Sequence, residues 1–178
     1  CKTVYFLNHH SWWDGLIPLM LNEYRFRQQA RAIMEDQQMK TYSLFQKIGA
    51  FSINRNNPRK AIRSLRYAVK SFEREKSSLF IYPEGSITPT GSEMDFEDGL
   101  AWLHDNLNEV DFVPVGIYMH TIRHDKPELH LHVGRPTRIN DDLPRDKKTI
   151  VFERILDQML KELRNKAGFD DREFEWFL

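Results

Sequence analysis

The sequence predicts an α/β layered domain, with a mostly parallel or mixed central sheet covered by helices. Short β-branched and aromatic runs alternate with segments of helical periodicity, the pattern of strands joined by crossover helices. One run, 79–82, is continuously apolar, as expected of a strand covered on both faces. Hydrophobic residues make up 40 % of the 178, with twelve Phe, six Tyr and four Trp, enough to fill the core of one domain and to exclude a disordered chain.

The elements follow in order. Residues 2–7 read as a strand that ends in the polar cluster 8–11, and Asp14 is placed to N-cap a helix over about 16–24. Residues 30–34 read as a buried strand. Met39, Tyr42, Phe45 and Ile48 recur at helical spacing and predict a helix that Gly49 stops. After a short strand at 51–53, Asn57-Pro58 opens the most clearly marked helix, with Pro in its first turn. Ile62, Leu65, Val69 and Phe72 fall on one face of it. Arg59, Arg63, Arg66, Lys70 and Arg74 form a basic stripe on another, which suits either a solvated face or contact with lipid phosphates. Strand 79–82 leads into a Gly/Pro-punctuated loop, 83–91. Leu100, Leu103 and Leu107 mark a helix, 112–118 a strand carrying Pro114, and 129–133 an alternating strand. A closing helix over 150–163 carries Ile155, Leu156, Met159 and Leu163.

Composition narrows the function classes. Lys+Arg and Asp+Glu both number 26, so net charge is zero and bulk electrostatics gives no reason to expect a nucleic-acid partner. A single cysteine, Cys1, cannot form an internal disulfide and excludes a disulfide-stapled scaffold. No stretch reaches the ~18 apolar residues of a membrane-spanning helix. The longest candidates, 16–21 and 110–119, are interrupted by Pro18, Asp111 and Pro114.

The string Asn8-His9-His10-Ser11-Trp12-Trp13-Asp14-Gly15 stands directly after the first strand, where α/β sheets place functional groups on exposed but supported backbone. His9 and Asp14 are five apart, which does not give a shared helical face. A turn could still bring the carboxylate onto one imidazole nitrogen, fixing the tautomer and leaving the other nitrogen to take a proton from an attacking hydroxyl.

This string resembles the first motif of the glycerolipid acyltransferase family, typified by lysophosphatidic acid acyltransferase. That motif is Asn-His-x4-Asp, matched by Asn8, His9 and Asp14, with Ser11 in the usual place. Three further blocks follow in the family's order. Gly-Ala-Phe-Ser-Ile-Asn-Arg, 49–55, is similar to the second block and ends in Arg55. Tyr-Pro-Glu-Gly-Ser-Ile-Thr, 82–88, is similar to the third, and Val-Pro-Val-Gly-Ile, 113–117, to the fourth. The blocks span about two thirds of the chain.

The resemblance implies transfer of a fatty acyl group from a thioester, acyl-CoA or acyl-carrier protein, to a hydroxyl of a lysophospholipid such as lysophosphatidic acid. It implies no cofactor, no metal and no covalent acyl-enzyme. His9 would be the base and Asp14 its orienter. Arg55 would bind an acceptor phosphate through its planar fork of donors. Asn8, Ser11, Glu84, Gly85 and Ser86 would shape the substrate site, Gly85 by letting backbone come close. The family's third block carries an Arg where this chain has Ile87, which cannot hold a phosphate, so a glycolipid or other non-phosphate acceptor, or a non-catalytic lipid-binding module, stands as the alternative. The resemblance also implies a peripheral membrane protein at the cytoplasmic face. The whole of 1–178 would then be one acyltransferase domain, expected to lack the hydrophobic segment the family carries before its first motif. Trp12, Trp13 and the terminal Phe174, Trp176, Phe177 and Leu178 are candidates for contact with the membrane surface.

Other candidates carry less. His130 and His132, on an alternating strand, are expected to face solvent opposite Leu129, Leu131 and Val133. His120 and His124 would lie on a helical turn, and no third metal ligand is evident. Ser86 lacks the Gly-x-Ser-x-Gly setting of a nucleophile elbow.

Overall fold

The computed structural model describes residues 2–72 and 76–169. Among them six strands form one sheet: β1 (Thr3–Leu7), β2 (Gln29–Glu35), β3 (Ala50–Ile53), β4 (Ser77–Ile81), β5 (Asp111–His120) and β6 (Glu128–Val133). Their spatial order is β3-β2-β4-β1-β5-β6. All neighbours are parallel except the β5/β6 hairpin, so the sheet is mixed, and helices cover it, as the sequence predicts. β1 and β4, at the centre, are buried at every position, which explains the apolar runs 4–7 and 79–81 within them.

Two cores flank the sheet. On one face Val4, Phe6, Leu79 and Phe112 pack with helices α4 (Pro58–Ser71), α5 (Gly99–Asn106) and α6 (Arg145–Phe169), through Leu65, Leu100, Leu103, Phe152 and Leu156. On the other, Tyr5, Leu7, Phe80 and Ile117 pack against Ile17 and Leu21 of the short helix α1 (Ile17–Leu21). Asn57 caps α4 as expected, its side chain accepting from the Lys60 amide at 3.1 Å with Pro58 at the first position.

Several expectations are corrected. The segment after β1 is not one helix capped by Asp14. Ser11 is the N-cap and Asp14 closes a capping box at its third position, over a 3-10 turn, Trp12–Leu16, that runs into α1 and then a π-helical turn, Asn22–Phe26. The 39–48 periodicity yields two short helices, α2 (Asp36–Thr41) and α3 (Leu44–Lys47), broken at Tyr42. Only Phe45 of the four apolar residues there is buried, too little to hold a continuous helix in place. β2 is half-buried rather than buried. Ile62 is 40 % exposed and leaves the apolar face of α4 to Leu65, Ala68 and Phe72. Arg74 and the aromatic terminus 174–178 lie outside the described residues; Arg59, Arg63, Arg66 and Lys70 are exposed.

The β5/β6 hairpin corrects the histidine reading. His120 ends β5 rather than lying on a helix, and His130 is buried while Leu129 and Val133 are exposed. α6 covers the His130 side near this end of the sheet, so the polar residues are the ones enclosed.

Candidate active site

Because β1, β4 and β5 run parallel, the loops leaving the C-terminal ends of β1 and β4 meet at one edge of the sheet. Asn8, the first residue beyond β1, is fully buried. Its Nδ2 donates to the Ile117 carbonyl at 2.9 Å and its Oδ1 accepts from the Ile117 amide at 2.7 Å. Both ends of the amide are spent on strapping the loop to β5, so Asn8 acts as a brace beneath the site.

The Asp14 carboxylate, itself buried, gathers the turn around it. Oδ2 accepts from the His10 amide at 2.7 Å, the Ser11 amide at 2.8 Å and the His9 ring at Nδ1, 3.2 Å away. A carboxylate oxygen accepts here, so the His9 ring carries a proton on Nδ1, and in the neutral ring Nε2 is the nitrogen with the lone pair. The His9 ring also lies 4.5 Å from that of Tyr82, whose hydroxyl donates to the Asp14 carbonyl. Burial, and then the Asp14 charge, push the Tyr82 hydroxyl well above its usual pKa of 10.0, so it remains a donor. Thus five residues of spacing, useless on a helix, become a His-Asp contact through a capped turn.

His10, beside it, is differently employed. Its Nδ1 lies 3.0 Å from the Thr88 carbonyl and its Nε2 3.2 Å from Nη2 of Arg164. Both ring nitrogens are engaged. Of the two adjacent histidines, His9 has a ring nitrogen, Nε2, without a hydrogen-bond partner among the described residues.

Glu84 is buried and supports the same loop from below. Oε1 accepts from the His9 amide at 3.0 Å and Oε2 from the Thr88 hydroxyl at 2.7 Å, while the Thr88 amide donates to the His9 carbonyl at 2.9 Å. Gly85 takes φ +66°, which favours glycine, and a Cβ there would stand 2.7 Å from Cζ of Arg55 and displace that side chain. Arg55 donates Nη1 to the Gly85 carbonyl and Nη2 to Glu97 at 2.8 Å. Ser86 is exposed, and Ser11 serves as the cap, its Oγ accepting from the Trp13 amide at 3.2 Å.

A cleft of about 830 Å³, open to solvent, joins these parts. His9, Arg55, Tyr82, Gly85 and Ile87 line it on one side, and Ile33, Met34, Glu35, Tyr42 and Phe45 on the other. A second recess of about 480 Å³ shares Gly15, Pro18, Ala32, Phe45 and Ala50 with it and continues along α1 towards Leu19 and Ile48. His9 thus faces a cleft lined mainly by apolar side chains, with Arg55 and Glu35 the charged ones among them.

The sequence profile of the acyltransferase family matches residues 2–118. The chain belongs to the acyltransferase family. The match covers all four blocks and every residue proposed for the site, and no curated protein matches the chain. The enzyme is therefore a transferase of acyl groups.

Sequence reasoning missed four participants. Tyr82 stood within a recognised block, but its hydroxyl contact with Asp14 spans 68 positions. Thr88 closes the third block and carried a signal only as part of it. Glu97 and Arg164 reach the site over separations of 42 and 154 residues, and nothing local to either announces it.

One cluster of metal-ligating types occurs among the described residues. His120, Glu128 and His130 each present a ligand atom within 4.8 Å of the others. The two rings stack, centroids 4.9 Å apart and 19° between planes, so their in-plane lone pairs cannot converge on one ion without reorientation. The Ile122 amide donates to Nδ1 of His120 at 3.2 Å, which leaves that ring's proton on Nε2, the atom a metal would need bare. Glu128 meanwhile accepts from Arg123 at 2.9 Å, and this bond, set against a small burial penalty, holds its carboxyl below the usual carboxylate range. As arranged, the cluster is a stack of rings beside an ion pair.

Proposed function

We propose that the enzyme moves a fatty acyl group from a thioester, acyl-CoA or acyl-carrier protein, to the hydroxyl of a lysophospholipid such as lysophosphatidic acid. The observation that carries this reading is the His9 ring, held by Asp14 with Nε2 free at the wall of the cleft. His9 takes the proton of the acceptor hydroxyl as its oxygen attacks the thioester carbonyl. The tetrahedral intermediate then collapses, and the thiolate leaves and is protonated. A thioester is already activated, so alignment, deprotonation and stabilisation of the oxyanion are what the protein must supply. Asp14 keeps the ring oriented and favours the imidazolium that forms. The apolar side chains of the cleft and the recess behind Phe45 suit the acyl chain.

Arg55 is the anion-binding residue in this reading, although Glu97 already holds one arm of its fork. Together with Ile87 in the cleft wall, that pairing favours a second reading of the acceptor: a head group with little negative charge, such as a glycolipid hydroxyl.

We place the enzyme at a membrane surface, as a peripheral protein of the cytoplasmic face. No described helix is long and apolar enough to cross a membrane. Support comes from the aromatic and aliphatic side chains exposed near the cleft: Trp12, Trp13 (62 % exposed), Tyr42, Leu44 and Ile48. Large apolar groups displayed together in this way are suited to the headgroup region.

Thiol release from palmitoyl-CoA, with and without detergent-dispersed lysophosphatidic acid, tests the reading. Release is expected to require both acceptor and His9, with His9→Ala lowering it by roughly 10²–10⁴-fold, the usual worth of a positioned general base. Full activity in His9→Ala would overturn the mechanism. Release supported by a neutral lysoglycolipid and not by lysophosphatidic acid would establish the second acceptor.

A further inference from the structure

We propose that Arg164 is a positioning residue of the catalytic loop, acting through His10. The argument rests on which atoms can donate. A guanidinium has donors only, so at 3.2 Å from Arg164 Nη2 the His10 Nε2 must carry its lone pair. The ring proton is then on Nδ1, where it meets the Thr88 carbonyl at 3.0 Å, a group that only accepts. Arg164 and the Thr88 carbonyl select the same tautomer, and Arg164 holds the far side of the ring while His10 ties the 8–14 loop to Thr88. Thr88 in turn holds the His9 carbonyl through its amide and Glu84 through its hydroxyl, and Glu84 holds the His9 amide. The chain of contacts runs from α6 to the backbone on both sides of the His9 side chain.

The delivery of Arg164 is firm. Leu160, Leu163 and Ala167 around it are buried, and Leu163 packs so closely on Gly116 of β5 that a Cβ there would sit 3.2 Å from its Cδ2. Among the described residues the imidazole is the only hydrogen-bond partner of Arg164, and its Nε is buried without one. It forms no ion pair with a carboxylate there, so a surface charge pair does not explain it. Arg164 also lies beyond residues 2–118, the part that the family profile describes, so this device belongs to the chain's own α6.

The proposal rests on the reading of His9 as the base, and its test is chosen to separate the two. Long-range proton–nitrogen correlation NMR of the histidine rings, assigned with His10→Gln, reports each tautomer without any turnover. His10 is expected to be protonated at Nδ1, the minor form of free histidine, and to stay so in Arg164→Leu because the Thr88 carbonyl still accepts there, while its Nε2 resonance moves on losing the donor and its Nδ1 proton exchanges faster. Exchange of the His9 Nδ1 proton is expected to quicken in the same variant. Arg164→Lys, which keeps a donor, should restore much of both signatures. An Nε2-protonated His10 in the unaltered protein, or His10 and His9 signals unmoved by Arg164→Leu, overturns the proposal. In acyl transfer the Arg164→Leu variant should lose about tenfold or more in kcat at nearly constant donor KM, since a small misplacement of a reacting group is costly. An unchanged kcat overturns the positioning role. Should the assay be silent for the unaltered enzyme while the spectra behave as stated, the acyl-acceptor reading fails and the Arg164 device stands.

Discussion

β1 and β4, which deliver the loops bearing His9, Asp14 and Glu84, are buried at every position, whereas β2 and β3, which wall the other side of the cleft, are half-buried at nearly every one. The same contrast appears in the polar contacts. Glu84 and Thr88 reach His9, and Asn8 reaches Ile117, by short bonds across 75 to 109 residues of sequence, while α2 and α3 between β2 and β3 are short and include one buried side chain, Phe45. His9, the base proposed above, therefore stands on the stiff half, where position matters most. The opposite wall of the cleft is made from the half with fewer buried side chains, which adapts more readily.

Matched truncations put that contrast to its hardest test. Leu7→Ala, at a fully buried position on β1, should cost about 2–5 kcal/mol in unfolding free energy. Met34→Ala, half-buried on β2 and in the cleft wall, should cost about 1 kcal/mol or less while changing the preferred acyl-chain length. Urea denaturation measures both. Equal losses would remove the distinction between the halves.

A smaller effect is expected at Asn8. Replacing it with Ala leaves the Ile117 amide and carbonyl, both buried, without partners, at a cost of about 2–3 kcal/mol. Asn8→Asp is the sharper probe. It is nearly the same size, but it sets an acceptor against the Ile117 carbonyl. If Asn8→Asp is as stable as the unaltered protein, the strap is not what joins β1 to β5 at the site.

How far these features were legible differs by half in the same way. The central strands, the Asn57-Pro58 helix start and the four blocks could be read because the relevant signals are local: continuous apolar runs, a capping residue, residues adjacent in the chain. The His-Asp pair was readable as a pair, but the cap was misassigned, since Ser11 and Asp14 both have capping chemistry and only the backbone turn chooses between them. On the softer side the periodicity of Met39, Tyr42, Phe45 and Ile48 predicted one helix where two short ones form. Helical spacing states which residues could share a face, and burial of Phe45 alone did not enforce it. Glu97, Arg164 and the enclosed His130 were illegible because they depend on packing over distances that no pattern in the sequence encodes.

Acidification separates the halves most finely. His104, on α5, is enclosed by the rings of Phe112 and Phe152, and its Nδ1 is buried without a partner among the described residues. Burial, then the Lys148 charge, lower its pKa from the usual 6.5, with Asp141 and Asp105 opposing. The unfolded chain thus binds a proton that the folded one refuses, so stability declines as pH drops below about 6.5. His104→Gln should flatten that decline in urea midpoints taken between pH 7.5 and 5.5, measured against the unaltered protein. Asp36 on the softer half responds lower. A hydrogen bond from Ser52, helped by Asn54 and the Lys40 and Lys60 charges, holds its carboxyl below the usual 3.8, so its contribution is complete above that pH and is lost beneath it. Asp36→Asn should therefore leave the decline below 6.5 intact. Were it to flatten that decline as His104→Gln does, the sensitivity would belong to the β2–β3 side, and the assignment of the stiff, titrating core to the β1–β4 half would be reversed.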